Sequence, residues 1–507
     1  MAAEPASADA VVIGSGAGGA PLAATLARAG ISVVILEAGR SFTPGEHAPD
    51  EAKTDLYWME ERLSGGRTPI AFGANNSGMG VGGSTLHWGA FCPRPDERDF
   101  RLRTLTGKGS DWPIAHAELL PYIERVERFI GVSGPATYPW DVRRRYAFPP
   151  TARNASAQAM NRGCSRLGIR ATDAPAAMVT RQVLQRHYGL REPCARCGAC
   201  HQGCGNASKA SMDVTYLPEA LGHGAQLVTE ARVHTFEQNA KGDISAVIFR
   251  RQGADHRLRA RAVFLCAGGI ETPRLLLHTG LANRSGQVGR HFMAHVATQV
   301  WGTFDIDMRM NRGYPSSFIS EDFVRPAQAD FAGGYLVQSL GVQPATLATT
   351  LARGAGLWGA ALTDRLRRYN QLAGIGINGE CLPADGNRLT LSDECDAFGM
   401  RKARIEFSYN DNERALNAHA IRTLSAIWHA ASATDIFAAE RSAHTLGTCR
   451  MGTSPDDAVV DRDGRSFDVR NLYVCDNSLF PSALSANPAL VTMALGLRTA
   501  ERFLERA

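Results

Sequence analysis

Asp9-Ala10-Val11-Val12-Ile13 runs directly into Gly14-Ser15-Gly16-Ala17-Gly18-Gly19, and the small-residue stretch Ala20 to Ala29 follows. The first five residues read as a short apolar strand and the stretch after the glycines as a helix. A second strand, Ile31 to Leu36, ends at Glu37. This order is that of a Rossmann dinucleotide unit. Gly14 makes the tight turn, Gly16 lets the backbone approach a diphosphate, and Gly19 allows helix and strand to pack closely. The acid about 20 residues further on, here Glu37, meets the ribose hydroxyls. Strand, glycines, helix, strand and acid in sequence carry far more weight than a lone GxGxxG. The unit alone does not separate FAD from NAD.

Length and composition bound what surrounds this unit. A chain of 507 residues exceeds the roughly 250–300 at which a single core stops growing, so two domains sharing a long interface are expected. Hydrophobic residues make up 44% and charged residues 21%, ordinary for a globular protein. The net charge of +5 is spread over scattered arginines, with no Lys/Arg block of the kind that binds nucleic acid or membrane surfaces. No apolar run approaches the roughly 18 residues of a membrane span. Met1 to Asp9 lacks a basic region followed by an apolar one, so the sequence itself points to the cytoplasm, and to the periplasm only by export with a signal-bearing partner.

Four further blocks identify the flavin class. Gly82-Gly83-Ser84-Thr85-Leu86-His87-Trp88, Asp111-Trp112-Pro113-Ile114, Ala267-Gly268-Gly269-Ile270-Glu271-Thr272-Pro273 and the run from His444 to Arg498 stand in the order found in the glucose-methanol-choline (GMC) oxidoreductases, and the chain resembles that family over nearly its whole length. The resemblance implies FAD bound by Gly82, Gly83 and Ser84 along the flavin and its diphosphate, with Val233 and Asp476 also in the cofactor-binding set. His87 stands where certain sugar oxidases of the family attach FAD covalently, while other members keep this histidine as a stacking or hydrogen-bonding neighbour. The Thr272-Pro273 block is expected to start a helix, with proline at an early position where a missing N–H costs little.

The same resemblance assigns the chemistry. His444 opens the block His444-Thr445-Leu446-Gly447-Thr448-Cys449, and Asn487 lies in Ala486-Asn487-Pro488. In the family the histidine takes the hydroxyl proton while hydride passes to flavin N5, and the second residue holds the same oxygen. Imidazole suits that base role because it titrates near neutral pH, and an amide can hold the oxygen without competing for its proton. Pro488 is expected to open a last helix whose N-terminus faces the flavin and favours negative charge there.

Eleven cysteines are present, four of them within eleven residues. Cys194, Cys197, Cys200 and Cys204 have the spacing C-x2-C-x2-C-x3-C of a bacterial ferredoxin run, which points to an iron–sulfur cluster, although Gly205 stands where proline usually follows. Cys194, Cys200 and Cys204 alone resemble the segment that holds a three-iron cluster in catalytic subunits of bacterial FAD-dependent sugar dehydrogenases, and Cys197 would complete a four-iron site. A zinc knot and four free thiols stay open as alternatives, the first disfavoured because paired zinc motifs are normally separated by a longer loop. Cys266 and Cys475 lie in apolar runs and read as buried thiols.

The expected fold class is α/β, α+β overall: a Rossmann-type FAD domain built from about 1–110, 211–300 and 441–507, and a discontinuous, sheet-based substrate domain from 111–210 and 301–440 that carries the cysteine loop 194–204. Asn387–Leu391 and Ala403–Tyr409 read as strands of that domain, by their alternation. Three functions compete: a sugar, glycoside or polyol dehydrogenase passing electrons through an iron–sulfur cluster to a small subunit and a cytochrome c; a cluster-free oxidase using O₂; and a non-catalytic flavin or metal-binding subunit, which the His444/Asn487 pair weighs against. The segment from about 301 to 440 offers no readable substrate motif.

Overall fold

The computed structural model describes residues 5–47, 49–52, 63–66 and 77–506, so Met1 to Glu4 lie outside it. The Rossmann reading holds. Strand Ser7–Ile13 is flanked in parallel by Val33–Leu36 on one side and by the end of Ala254–Leu265 on the other. Gln226–Val228 extends the sheet beyond Val33–Leu36, and Leu472–Val474 pairs in parallel with Val263–Leu265. The first half of Ala254–Leu265 turns back antiparallel against Ile244–Arg251, which pairs with Arg232–Gln238. All four residues of Val33–Leu36 are buried, as expected for a parallel strand covered on both faces. Helices Gly19–Arg28 and Ala489–Leu504 pack on each other over this sheet.

A second, antiparallel sheet roofs it, in the order Thr434–Ala439, Gln299–Thr303, Leu372–Gly379, Tyr335–Leu340, Phe318–Ser320, Thr172–Asp173, with Met293–Val296 and Ser442–Leu446 attached at one corner. It draws strands from both sides of the boundaries expected near 300 and 441. Ala373, Ile375 and Ile377 point into a core with Leu416, Leu424, Ile427 and Trp428 of helix Asp411–Ala430. Gly376 and Asn378, alternating with them, turn toward the Rossmann half. Arg388–Cys395 and Arg401–Glu406 are strands near the expected positions, but they form a separate small sheet with Leu63–Gly65 and are not part of the roof. No helix among the described residues is long and apolar enough to cross a membrane.

One boundary differs from expectation for a local reason. Helix Gly268–Thr279 begins five residues before Pro273, which therefore sits inside it. Proline there removes the hydrogen bond to the carbonyl four residues earlier, that of Gly269. The Thr448 hydroxyl donates to that carbonyl at 3.0 Å, so the proline is tolerated by a partner from the far end of the chain.

Candidate active site

Between the carboxyl ends of the parallel strands and the roof lies a cavity of about 520 Å³, the position where open α/β sheets bind ligands. Gly14 (φ +104°) and Gly19 are fixed by packing: a Cβ would come within 2.5 Å of the Cys266 carbonyl at the first and 2.0 Å of the Gly14 carbonyl at the second. Gly16 is different. Its nearest prospective neighbour is the Gly83 Cα at 3.8 Å, so its bare backbone borders open space on the cavity wall. That vacancy of side chains is what a diphosphate needs, and the residues present fit a dinucleotide.

Glu37 is buried on the cavity wall. Its carboxylate accepts from the Ser15 N–H (3.0 Å), the Ser15 hydroxyl (2.6 Å) and the Gly39 N–H (2.9 Å). Burial nonetheless raises its pKa against these donors. The Ser15 oxygen in turn accepts from the Gly82 N–H at 3.0 Å, which ties the first glycine loop to the second. Gly14, Gly16, Glu37, Gly83, Ser84, His87, Val233, Asp476 and Pro488 all line the cavity, whereas Gly19 and Gly82 stand behind it. Asp476 joins two segments, accepting from the Gly268 N–H (2.8 Å), the Thr272 hydroxyl (2.6 Å) and the Ser478 N–H (2.8 Å). Pro488 is the residue before helix Ala489–Leu504, whose first turn meets the cavity.

His444 and Asn487 come together at the other end. His444 lies in strand Ser442–Leu446, which carries one extra residue against Met293–Val296, and at this bulge it takes the left-handed φ of +64°. Bulges of this kind re-aim a side chain. The hydrogen bonds around it fix its tautomer. The Leu484 carbonyl can only accept, so His295 Nε2 carries the hydrogen that reaches it at 3.0 Å. His295 Nδ1 is then an acceptor and takes the His444 Nδ1–H at 2.9 Å. His444 Nε2 is left with its lone pair 3.4 Å from Asn487 Nδ2. Asn378 Nδ2 donates to Asn487 Oδ1 at 3.1 Å, which sets the amide's orientation. Gln299, Gln338, Thr346 and Arg441 complete a polar roof.

His295, Asn378 and Arg441 are absent from the sequence-level candidates. His295 is a single histidine in the apolar strand Met293–Val296, and its meaning arises only from a partner 149 positions away.

Burial, then the His295 and Arg441 charges, push His444 well below its ordinary 6.5, and burial pushes His295 down to about 4. The proton-accepting form is therefore complete at neutral pH and is lost only as pH falls through the lowered value. The acid limb of kcat/KM against pH, measured with an artificial acceptor, is expected below pH 6.5, falling about tenfold per unit there. A limb centred at or above 6.5 contradicts this reading.

The cysteine loop docks on the segment 82–88. The buried Lys209 ammonium donates to the carbonyls of Leu86 (2.7 Å), Trp88 (3.3 Å) and Cys200 (2.6 Å). His201 Nδ1–H reaches the His87 carbonyl at 2.9 Å, and the His201 ring itself lines the cavity. Burial, with the charges of His201 and Lys209, lowers His87 to about 3, so its imidazole is neutral. Cys200 is buried, Cys194 and Cys204 half-buried and Cys197 exposed, and none forms a disulfide. Burial pushes the Cys200 thiol up, against the opposing charge of Lys209. The Cys204 sulfur also accepts from the Lys209 N–H at 3.4 Å. None of these thiols belongs to a group of three metal-ligating atoms within 4.8 Å of one another among the described residues, so the cysteine spacing stands as a sequence pattern. Lys209 and His201 carry no sequence signal, since their partners belong to a distant loop.

Comparison with known proteins bears on the family and the flavin fold. Family models for GMC oxidoreductases match residues 64–297 and 383–496. The chain is 30% identical to 2-methyl-1,2-propanediol dehydrogenase of Mycolicibacterium austroafricanum, over 98% of this chain and 95% of that protein. It is 28% identical to the fructose dehydrogenase large subunit of Gluconobacter japonicus, over 99% of each. Among solved structures, pyridoxine 4-oxidase from Mesorbium loti superposes with a TM-score of 0.70 at 17% identity, over 98% of this chain and 99% of that one, a likeness of fold.

Proposed function

Because the chain belongs to the GMC oxidoreductase family, we propose that it is an FAD-dependent dehydrogenase that oxidises an alcohol carbon of a sugar, glycoside or polyol and passes the electrons through an iron–sulfur cluster to a partner acceptor. The observation that carries the oxidation is the proton chain Leu484–His295–His444 ending in a basic Nε2 beside Asn487. The substrate hydroxyl gives its proton to His444 Nε2. Asn487 Nδ2 donates to the same oxygen, and the carbon–oxygen double bond forms as hydride leaves the carbon. Bound FAD would supply the two-electron acceptor for that hydride. Once His444 is protonated, its Nδ1–H still donates to His295, which spreads the charge. Gly14, Gly16, Gly83, Ser84, Glu37, Val233, Asp476 and Pro488 are the residues that would hold the cofactor, with His87 beside the ring system.

The polar roof supports a polyhydroxylated substrate. Gln299, Gln338 and Arg441 bring polar side chains to the cavity wall, and the buried Gln299 Oε1, which has no hydrogen-bond partner among the described residues, is an acceptor that an aliphatic chain would leave unpaired. The named relatives act on a diol and on fructose by their names, which agrees with this class. The second of them is a large subunit, which supports a smaller partner here as well.

Electron exit rests on the placement of the cysteine loop, one residue of which lines the cavity while Lys209 bonds both it and the flavin segment. An iron–sulfur cluster at Cys194, Cys200 and Cys204, with or without Cys197, would accept one electron at a time. Anaerobic purification followed by assay of FAD, iron and acid-labile sulfide tests the reading: all three are expected. FAD without iron or sulfide, even after reconstitution, leaves the oxidase reading, with O₂ as acceptor.

A further inference from the structure

Outside the flavin cavity, three metal-ligating side chains converge. His187 sits at the tip of the hairpin Val183–Gln185/Gly189–Arg191, in the left-handed conformation (φ +60°). Glu219 and His223 come from helix Tyr216–Gly222, one turn apart, with His223 as its cap. His223 Nε2 lies 3.2 Å from Glu219 Oε1, and His187 Nε2 lies 3.8 Å from Glu219 Oε2. One ligand atom from each falls within 4.8 Å of the others. None of the three lines the cavity.

Two observations set this group apart from a casual ion pair. The Glu219 side chain is only 4% exposed, yet its Oε2 accepts no hydrogen bond among the described residues. A buried carboxylate oxygen left this way is costly, and it faces the His187 nitrogen at a distance too long for a hydrogen bond. The second is the seat of His187. A Cβ on Gly222 would lie 2.3 Å from His187 Nδ1, so the ring packs directly over Gly222, with Nε2 toward Glu219. Arg186 approaches Glu219 Oε1 only to 3.8 Å from an exposed position and leaves Oε2 untouched.

We propose that His187, Glu219 and His223 bind a divalent transition-metal ion of the zinc class, with the fourth position open to water. Two imidazoles and a carboxylate are the donors such ions prefer, and the hard ions magnesium and calcium do not. Ligand atoms at about 2.0–2.1 Å from a tetrahedral ion stand about 3.3–3.4 Å apart, so the 3.2 Å pair is already placed and the 3.8 Å pair closes with a small rotation of the exposed histidine. The ion joins the hairpin tip to the helix. The hairpin base is held separately by Arg191, which donates to the carbonyls of Ile130, Ala207 and Ser208 at 3.0 Å each. Both anchors flank the cysteine loop, so the ion acts as a structural clamp on that loop and takes no part in the oxidation.

The test is equilibrium dialysis of chelator-treated, FAD-loaded protein against zinc, with bound zinc counted in the parent, His187→Asn and His223→Ala. Asparagine keeps the left-handed backbone accessible. The parent is expected to bind one zinc more than either variant, and zinc to raise its melting temperature by a few degrees without effect on the variants. Whatever the cysteine loop binds cancels in the difference. Magnesium is expected to change nothing. Equal zinc counts in all three proteins, or an equal response to magnesium, would overturn the site. Flavin reduction by substrate is expected to be the same in all three.

Discussion

Replacing His444 by alanine is expected to slow flavin reduction by substrate about 10²- to 10⁴-fold while FAD stays bound, the usual magnitude for loss of a general base. The two outcomes separate because the residues concerned are separate. The proposed cofactor seat is the backbone around Gly14 and Gly16 with the Glu37–Ser15–Gly82 chain, none of which touches His444. What disappears is the Nε2 lone pair beside Asn487, together with the donor that keeps His295 engaged. Anaerobic stopped-flow mixing reads the rate and the flavin spectrum reads retention. Reduction within tenfold of the parent removes His444 from the base role, and loss of flavin shows that the bulge also supports the seat.

Cys200→Ser is expected to strip the iron and lower electron transfer to a protein acceptor at least tenfold, with substrate still reducing the flavin. Cys200 is the most deeply buried of the four thiols, and its backbone carbonyl is held by Lys209. The loop path therefore survives exchange of the side chain, and the change is confined to the ligand atom. Serine is a poor replacement because iron–sulfur sites require soft thiolate donors. The exposed Cys197 gives the internal comparison. Cys197→Ser is milder if three thiolates suffice and equally damaging if four are needed. Unchanged iron and acceptor rate in Cys200→Ser would remove it from the ligand set.

The sequence was legible where function is local. The turn at Gly14 and the strand, helix and second strand that follow it lie within one short segment, and their placement follows from backbone geometry, whereas the thiol spacing from Cys194 to Cys204 is legible only as a pattern. The roof was not legible. Strands Gln299–Thr303 and Leu372–Gly379 are buried on both faces, so the alternation that reveals a half-exposed strand is missing. The side chains that orient the site were hidden for a related reason. His295, Asn378 and Lys209 acquire their roles from partners more than a hundred positions away. Pro273 misled through the same distance effect, because the hydroxyl that makes it tolerable inside a helix belongs to Thr448.

The pairing of Val263–Leu265 with Leu472–Val474 has a consequence for how the molecule is made. Because Ala254–Arg259 already pairs with Ile244–Arg251, a chain emerging from the ribosome leaves the short edge Val263–Leu265 open for more than two hundred residues of synthesis before its partner appears, and an open strand edge is a template for aggregation. His444 and Asn487 emerge over that same late interval. A break in the chain before Leu472 therefore uncovers that edge and removes Asn487, one of the proposed proton-handling pair, together.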